Sequence, residues 1–315
     1  MHKDDLGKSV PAVYGEDLLN SLPELKKRAD WKIIDYSNLA SCNISPERML
    51  EIAHLIEDEL EADRNLKGVI ITHGTDTLEE TAFFLEVTIK DQRPIVLTAS
   101  QRDASENDSD GPRNLHNAMS IVLDPQAGRR GVLICLNEQV HAARDVRKLH
   151  TSHVNAFNSG EMGALGIIDA NQVIWRRKPE NTVKLGIPSR LGDVGICKAY
   201  TGMNARAMEV WGEDDWDGLV IEAFGRGNVA PEIVPGIKEL IAKGAIVVIT
   251  SRCLFGRSGP VYGYPGGGAD LEKAGAWFAA DLSPEKARLL LSIGLGQTVS
   301  FSDLKKIMAN GGIIE

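Results

Sequence analysis

Short runs of Val, Ile and Leu alternate along this chain with longer amphipathic stretches. Runs of four to seven apolar residues read as buried strands, and the stretches of ten or more between them read as helices. Strands are predicted over 32–36, 68–72, 94–99, 131–136, 166–169, 195–200, 217–223 and 244–250. Helices are predicted over 16–28, 46–63, 77–90, 112–123, 231–243, 268–276, 284–293 and 302–309. The βα rhythm predicts an α/β fold on a mostly parallel sheet.

Start signals sharpen several helices. Thr77 with Glu80 makes a capping box, Ser45-Pro46 and Ser283-Pro284 read as caps followed by a first-turn proline, and Asp110 before Gly111-Pro112 reads as another helix start. Between 176 and 194, RRKPENTVKLGIPSRLGDV carries two prolines, two glycines and no clear periodicity, which suits an interdomain linker. The expected organisation is a larger N-terminal domain over 1–182 that lacks its first strand, a linker over 183–194 and a smaller C-terminal α/β domain over 195–315.

Composition narrows the function classes. With 43% hydrophobic and 25% charged residues among 315, the chain matches an ordinary soluble protein, and no apolar run approaches the roughly 18 residues that span a bilayer. A net charge of −9, with basic residues scattered in ones and twos, argues against nucleic acid as a partner. Cys42, Cys135, Cys197 and Cys253 lack CxxC spacing, and His141, His150 and His153 lack a completing carboxylate or cysteine, so neither a metal site nor a disulfide framework is expected. The cysteine usage suits a reducing compartment. The polar start MHKDDLGKSVPAV has no signal-sequence pattern, so a cytoplasmic location is expected.

Candidate chemistry sits where strands end. In parallel α/β sheets, ligands bind beyond the carboxyl ends of the strands. In GVIITHGTDTLEE, residues 68–80, a strand is followed by His73-Gly74 and then by Thr75, Asp76 and Thr77 opening a helix. One capping residue suffices for one helix, so three in a row behind a glycine leave hydroxyl or carboxylate groups to face a ligand. The next crossover repeats the theme, PIVLTAS leading into the polar loop QRDASENDSDGPRN.

Here the chain resembles the bacterial-type L-asparaginase family, the threonine amidohydrolases. The segments ITHGTDTLEETAFFLE (71–86) and LTASQRDASENDSDGPRNLHNA (97–118) look like the family's two most distinctive blocks. VPAVYGEDLLNSLPEL, RDVRKLHTSHVNAFNS, FGRGNVAPEI and SPEKARLLLSIGL extend the likeness over essentially the whole chain. The resemblance implies hydrolysis of L-asparagine, with L-glutamine as a further candidate, to the acid and ammonia through a threonine acyl-enzyme, without metal or cofactor. It implies that Thr75, as the family's second threonine, forms with Asp76 and Lys148 a relay that activates the nucleophile or the water, with Thr75, Asp76, Ser41 and its neighbour Cys42 at the substrate. The family's lysine stands either directly after the phenylalanine, here Asn158, or nine residues before it, here Lys148; the reading taken is Lys148. The turn at Thr75 and Asp76 offers backbone N–H groups for a developing oxyanion. The resemblance also implies a homo-oligomer, a dimer or tetramer, in which Asn228 contributes to a neighbouring subunit's site.

The match departs from the family at the start. The family's first strand ends in a Thr-Gly-Gly-Thr-Ile motif bearing the usual primary nucleophile, and no such segment occurs here; HKDDLGKSVPAV resembles the mobile loop that follows it. The expectation is that a natural upstream strand precedes Met1, the alternative being a truncated chain that has lost it; turnover by these 315 residues alone would mean that Thr75 or another group attacks directly. The loop's tyrosine position falls near Lys8 or Ser9, with Tyr14 the nearest tyrosine. Two other readings stand beside the hydrolase: a non-catalytic amino-acid-binding homologue retaining Ser41, Thr75 and Asp76, and an oxidoreductase suggested by the G-x-G-x-x-A pattern of FGRGNVA, 224–230. The oxidoreductase lacks the acidic residue expected at the end of the next strand, which runs into Ser251-Arg252.

Overall fold

The computed structural model describes residues 14–314 in full, together with the backbone of His2–Lys3 and Ser9–Val10. The loop reading of 2–13 and the position near Lys8 and Ser9 lie outside the residues whose side chains are described. The chain divides into two compact units, Met1–Glu86 with Lys90–Pro179 and Val87–Ile89 with Glu180–Glu315.

The first unit runs β1 (His2–Lys3), β2 (Ser9–Val10), α1 (Gly15–Asn20), α2 (Pro23–Lys26), α3 (Pro46–Ala62), β3 (Val69–Thr72), α4 (Leu78–Thr88), β4 (Ile95–Thr98), α5 (Gly111–Val122) and β5 (Val132–Leu136). It continues through β6 (Gln139–Ala142), β7 (Arg147–Lys148), β8 (Phe157–Asn158), β9 (Gly166–Asp169) and β10 (Gln172–Trp175). The main sheet has the order β10-β9-β6-β5-β4-β3. β3, β4 and β5 are parallel, while β6, β9 and β10 extend the sheet antiparallel.

Every residue of β4 and β5 is buried, which is why their sequences are continuous apolar runs instead of alternating ones. Val96, Leu133 and Cys135 pack with Ala118 and Ile121 of α5, each such Val, Leu or Ile contributing about 1.5–3 kcal/mol of burial. α3 buries Met49, Ile52, Ala53, Ile56 and Leu60, one stripe at helical spacing, and the Ser45 hydroxyl caps it by accepting the Arg48 N–H at 3.4 Å.

Three expectations change. The run 32–36 is irregular chain, not a strand, and Ile33 and Ile34 stand 38% and 44% exposed. Apolar content alone forms no ladder; among the described residues no strand lies beside this run to take its backbone bonds. The helix predicted over 16–28 is two short ones, because Pro23 has no N–H to continue the first. Asp110 stands before α5, but its carboxylate caps nothing and turns back to the preceding loop.

The second unit holds β11 (Val194–Lys198), α6 (Arg206–Glu213), β12 (Gly218–Ala223), α7 (Val234–Ala242), β13 (Ile246–Ser251), α8 (Gly268–Ala274), β14 (Trp277–Phe278), α9 (Pro284–Leu295) and α10 (Phe301–Ala309). Its sheet is parallel throughout, in the order β11-β12-β13-β14. Leu219, Ile221, Val247 and Ile249 form its core with Ile237 and Leu240 of α7. Residues 181–183 pair with 312–314, the Val183 N–H donating to Gly312 O at 2.8 Å and the Ile314 N–H to Asn181 O at 2.9 Å.

Candidate active site

Among the described residues β3 sits at the end of its sheet, and its carboxyl end begins the site. The His73 N–H still donates to Thr98 O of β4 at 2.9 Å, so the ladder persists to His73 and the chain turns at Gly74. A side chain at Gly74 would lie 2.6 Å from Ser41 Oγ, closer than a Cβ is found to real atoms, so only glycine lets the turn approach Ser41. Ser41 opens a single 3₁₀ turn, Ser41–Asn43, and is buried. Its Oγ accepts the Asp76 N–H at 3.2 Å and its carbonyl accepts the Thr77 hydroxyl at 2.7 Å. These bonds staple the Ser41 loop to the Thr75 turn. They also commit the Asp76 N–H, which is therefore not open to an oxyanion.

Lys148 closes the arrangement from β7. Its Nζ donates to Thr75 Oγ1 at 2.8 Å and to Asp76 Oδ1 at 3.0 Å. The Lys148 side chain is only 17% exposed while that of Asp76 is 66% exposed. An ion pair so open to water contributes at most about 1 kcal/mol to stability, so its significance is the position it gives the amine. Lys148, and not Asn158, reaches Thr75: Asn158 Oδ1 accepts the Gly160 N–H at 2.7 Å, in an exposed turn.

The neighbouring loop is organised by Asp110. Its Oδ1 accepts the Ser100 hydroxyl at 2.7 Å, the Gln101 N–H at 3.0 Å and the Arg102 N–H at 2.9 Å, and its Oδ2 accepts from Asn114 Nδ2 at 2.9 Å. Asn114, buried in α5, also donates to Ala99 O at 2.9 Å. The carboxylate thus orders the loop after β4, beyond the same sheet edge as the Thr75 turn.

Sequence reasoning gave no role to His73. A carbonyl only accepts, so the contact of His73 Nδ1 with Gly74 O at 2.7 Å places the ring proton on Nδ1, and Nε2 accepts from the Thr81 hydroxyl at 3.1 Å. Burial holds the His73 pKa below the usual histidine range, against the raising effect of the Gly74 bond. The folded protein therefore binds this proton more weakly than the unfolded chain, whose histidine titrates near 6.5. His73's contribution to stability is full above about pH 6.5 and is lost as pH falls below it. Denaturant unfolding between pH 8 and 5 is expected to show this decline, by at most about 1.4 kcal/mol per pH unit for one proton, and His73→Gln is expected to shallow it.

The other candidates lie as follows. Cys42 is exposed and unbridged, and Tyr14 stands half-exposed before α1. Among the described residues no group of three His, Cys, Asp or Glu side chains could hold a metal. In the second unit, Asn228 Oδ1 accepts the Gly268 N–H at 3.3 Å. Of the two glycines in the apparent dinucleotide pattern, Gly227 has φ +109, and a Cβ there would meet Ile249 and Phe278 at 3.0 Å, while Gly225 has φ +48 with open space around it.

Comparison with known proteins follows this geometry. The pattern of the family described as Asparaginase, N-terminal covers residues 1–181, and that of the Glutaminase/Asparaginase C-terminal domain covers 193–308. The chain is 41% identical over 278 residues to a protein of Deinococcus radiodurans named "Probable L-asparaginase", spanning 87% of this chain and 84% of that one. It is 31% identical over 307 residues to "L-asparaginase 2" of Escherichia coli, spanning 95% and 85% of the two chains. The crystal structure of a protein named "Probable Cytoplasmic L-asparaginase", from Campylobacter jejuni, superposes with a TM-score of 0.86 at 32% identity, covering 94% of each chain. With both halves matched and a two-unit α/β fold in common, the chain belongs to the bacterial-type L-asparaginase family.

Proposed function

We propose that this chain hydrolyses L-asparagine to L-aspartate and ammonia, with Thr75, Lys148 and Asp76 as the working groups. The observation that carries the reading is the Lys148 amine, 2.8 Å from Thr75 Oγ1 and 3.0 Å from Asp76 Oδ1 at the carboxyl end of a parallel strand. Its relatives' names supply the substrate class. Among the described residues the hydroxyl that Lys148 contacts is that of Thr75, so here Lys148 as a neutral amine takes that proton while Oγ1, in place of the family's upstream threonine, attacks the carboxamide carbon. The tetrahedral intermediate expels ammonia with that proton, leaving an aspartyl ester. Water then attacks the ester, with Lys148 again the base, and releases L-aspartate.

Asp76 is exposed enough to receive the substrate's α-ammonium. That cation competes with Lys148 for the carboxylate and frees the amine for its role as base. Ser41 and Cys42 lie beside the same turn; Ser41 fixes it through the Asp76 N–H, and Cys42 is exposed towards solvent. A cytoplasmic location fits the Campylobacter jejuni relative, whose own name calls it cytoplasmic, and no helix among the described residues is long and apolar enough to cross a membrane.

A homo-oligomer, dimer or tetramer, is part of this reading. Leu254, Phe255, Val261, Tyr262 and Tyr264 are each between 42% and 54% exposed within one segment of the second unit, an apolar cluster that suits a second copy of the chain. Asn228 is proposed to serve the partner copy's site.

A second reading, an amino-acid-binding homologue without turnover, keeps Ser41, Thr75 and Asp76 as ligand contacts. Ammonia release with L-asparagine and L-glutamine in parallel separates the two. Release above the spontaneous rate, faster with L-asparagine, is expected; a folded chain that binds L-asparagine and releases none selects the second reading.

A further inference from the structure

Lys148 is held at its backbone as well as at its amine. Its strand β7 is two residues long and pairs with β8 through Arg147 opposite Asn158 and Lys148 opposite Phe157. The next residue along, Leu149, donates its N–H to Ala156 O at 2.7 Å. Pairs in an antiparallel ladder alternate between hydrogen-bonded and non-hydrogen-bonded, so the Lys148–Phe157 pair is of the second kind and the Lys148 N–H points away from β8. That N–H donates to Glu79 Oε2. Glu79 lies in the first turn of α4, four residues after Thr75 and three after Asp76.

We infer that Glu79 is a positioning residue: its carboxylate anchors the backbone of Lys148 so that the amine stays on Thr75 and Asp76. The inference rests on the reading of Lys148 as the base. A two-stranded ladder this short is marginal by itself, so the register of β7 depends on an outside anchor. A carboxylate accepting an N–H is a charge-assisted bond, stronger than a neutral one. One segment, 75–79, then grips both ends of the lysine, and a shift of β7 that broke the Glu79 bond would draw Nζ away from Thr75.

The bland account is that Glu79 only complements the positive end of the α4 dipole. Glu80 carries the same charge in the same turn, so it serves as the comparison. The test is the rate at which an amine-directed reagent labels Lys148 in the full chain, read by peptide mass spectrometry. Glu79→Ala and the longer Glu79→Met are expected to raise the rate about tenfold, the scale of one lost bond to a charged group, with Glu79→Gln within about twofold of the parent. Glu80→Ala should leave it unchanged. In turnover, Glu79→Ala should lower kcat about 10- to 100-fold with KM within about threefold, and add nothing to Lys148→Met.

Unchanged Lys148 labelling in the folded Ala or Met variant overturns the inference. So does an equal rise in Glu80→Ala, or a further large loss of kcat when Glu79→Ala is added to Lys148→Met. The labelling arm needs no activity. A parent chain that releases no ammonia would count against the functional reading, while the labelling would still decide the role of Glu79.

Discussion

Lys148→Met is expected to lower kcat for L-asparagine about 10³-fold with little change in thermal stability, a loss within the range for removing a positioned general base. The side chain is mostly enclosed, and its polar contacts among the described residues are Thr75 Oγ1 at 2.8 Å and Asp76 Oδ1 at 3.0 Å. Methionine keeps the unbranched stem and its packing but cannot take a proton. The ion pair it removes contributes at most about 1 kcal/mol, because Asp76 faces water. Steady-state kinetics beside a melting curve check both halves. A kcat within about threefold of the parent would show that another group activates the nucleophile.

Thr75→Ala is expected to cost about 10³-fold or more in kcat, since it removes the hydroxyl that Lys148 contacts and leaves only binding and electrostatic catalysis. Folding should persist, because the turn is held by Gly74 against Ser41, by the Asp76 N–H on Ser41 Oγ and by the Thr77 hydroxyl on Ser41 O, none of which uses the Thr75 side chain. Thr75→Ser keeps an attacking oxygen while losing the methyl group that restricts its rotamer, so activity should return in part. L-Aspartate binding to the Ala variant, followed by calorimetry, distinguishes lost chemistry from a lost site. Turnover equal to the parent in Thr75→Ala would remove Thr75 from the mechanism.

The sequence made the parallel core readable because β4 and β5 are buried on both faces and so appear as unbroken apolar runs. Ser45 and Ser283 were equally readable as caps, since a cap acts within three residues; the Ser283 hydroxyl accepts the Lys286 N–H at 3.3 Å. Residues 32–36 have the composition of a strand, but a strand needs a neighbour, and composition does not report one. Asp110 precedes Gly111-Pro112 as a cap would, yet its carboxylate meets donors at positions 100–102, a choice made by the tertiary fold.

The site was half legible by the same logic. Thr75 and Asp76 stand out locally, behind a glycine at a strand end. Lys148 lies 73 positions from Thr75, and only the family likeness pointed to it; β7 and β8 are too short to show a period. His73 and Glu79 lie inside the same strand-turn-helix motif, and its local pattern gave them no role. A histidine directly before the turn and a glutamate one helical turn beyond the threonine were the available signals, and their partners, Gly74 O with Thr81 and the Lys148 N–H, emerge only from the folded geometry.

The central claim is that Thr75 carries the acyl group. Quenching the 315-residue chain in acid during turnover of L-asparagine, then mapping its peptides by mass spectrometry, tests this directly. An aspartyl ester on the peptide spanning 71–86, located at Thr75 and absent from Thr75→Ala, is the predicted result. Ammonia release accompanied by an ester on another hydroxyl, with Thr75 unmodified, would contradict it.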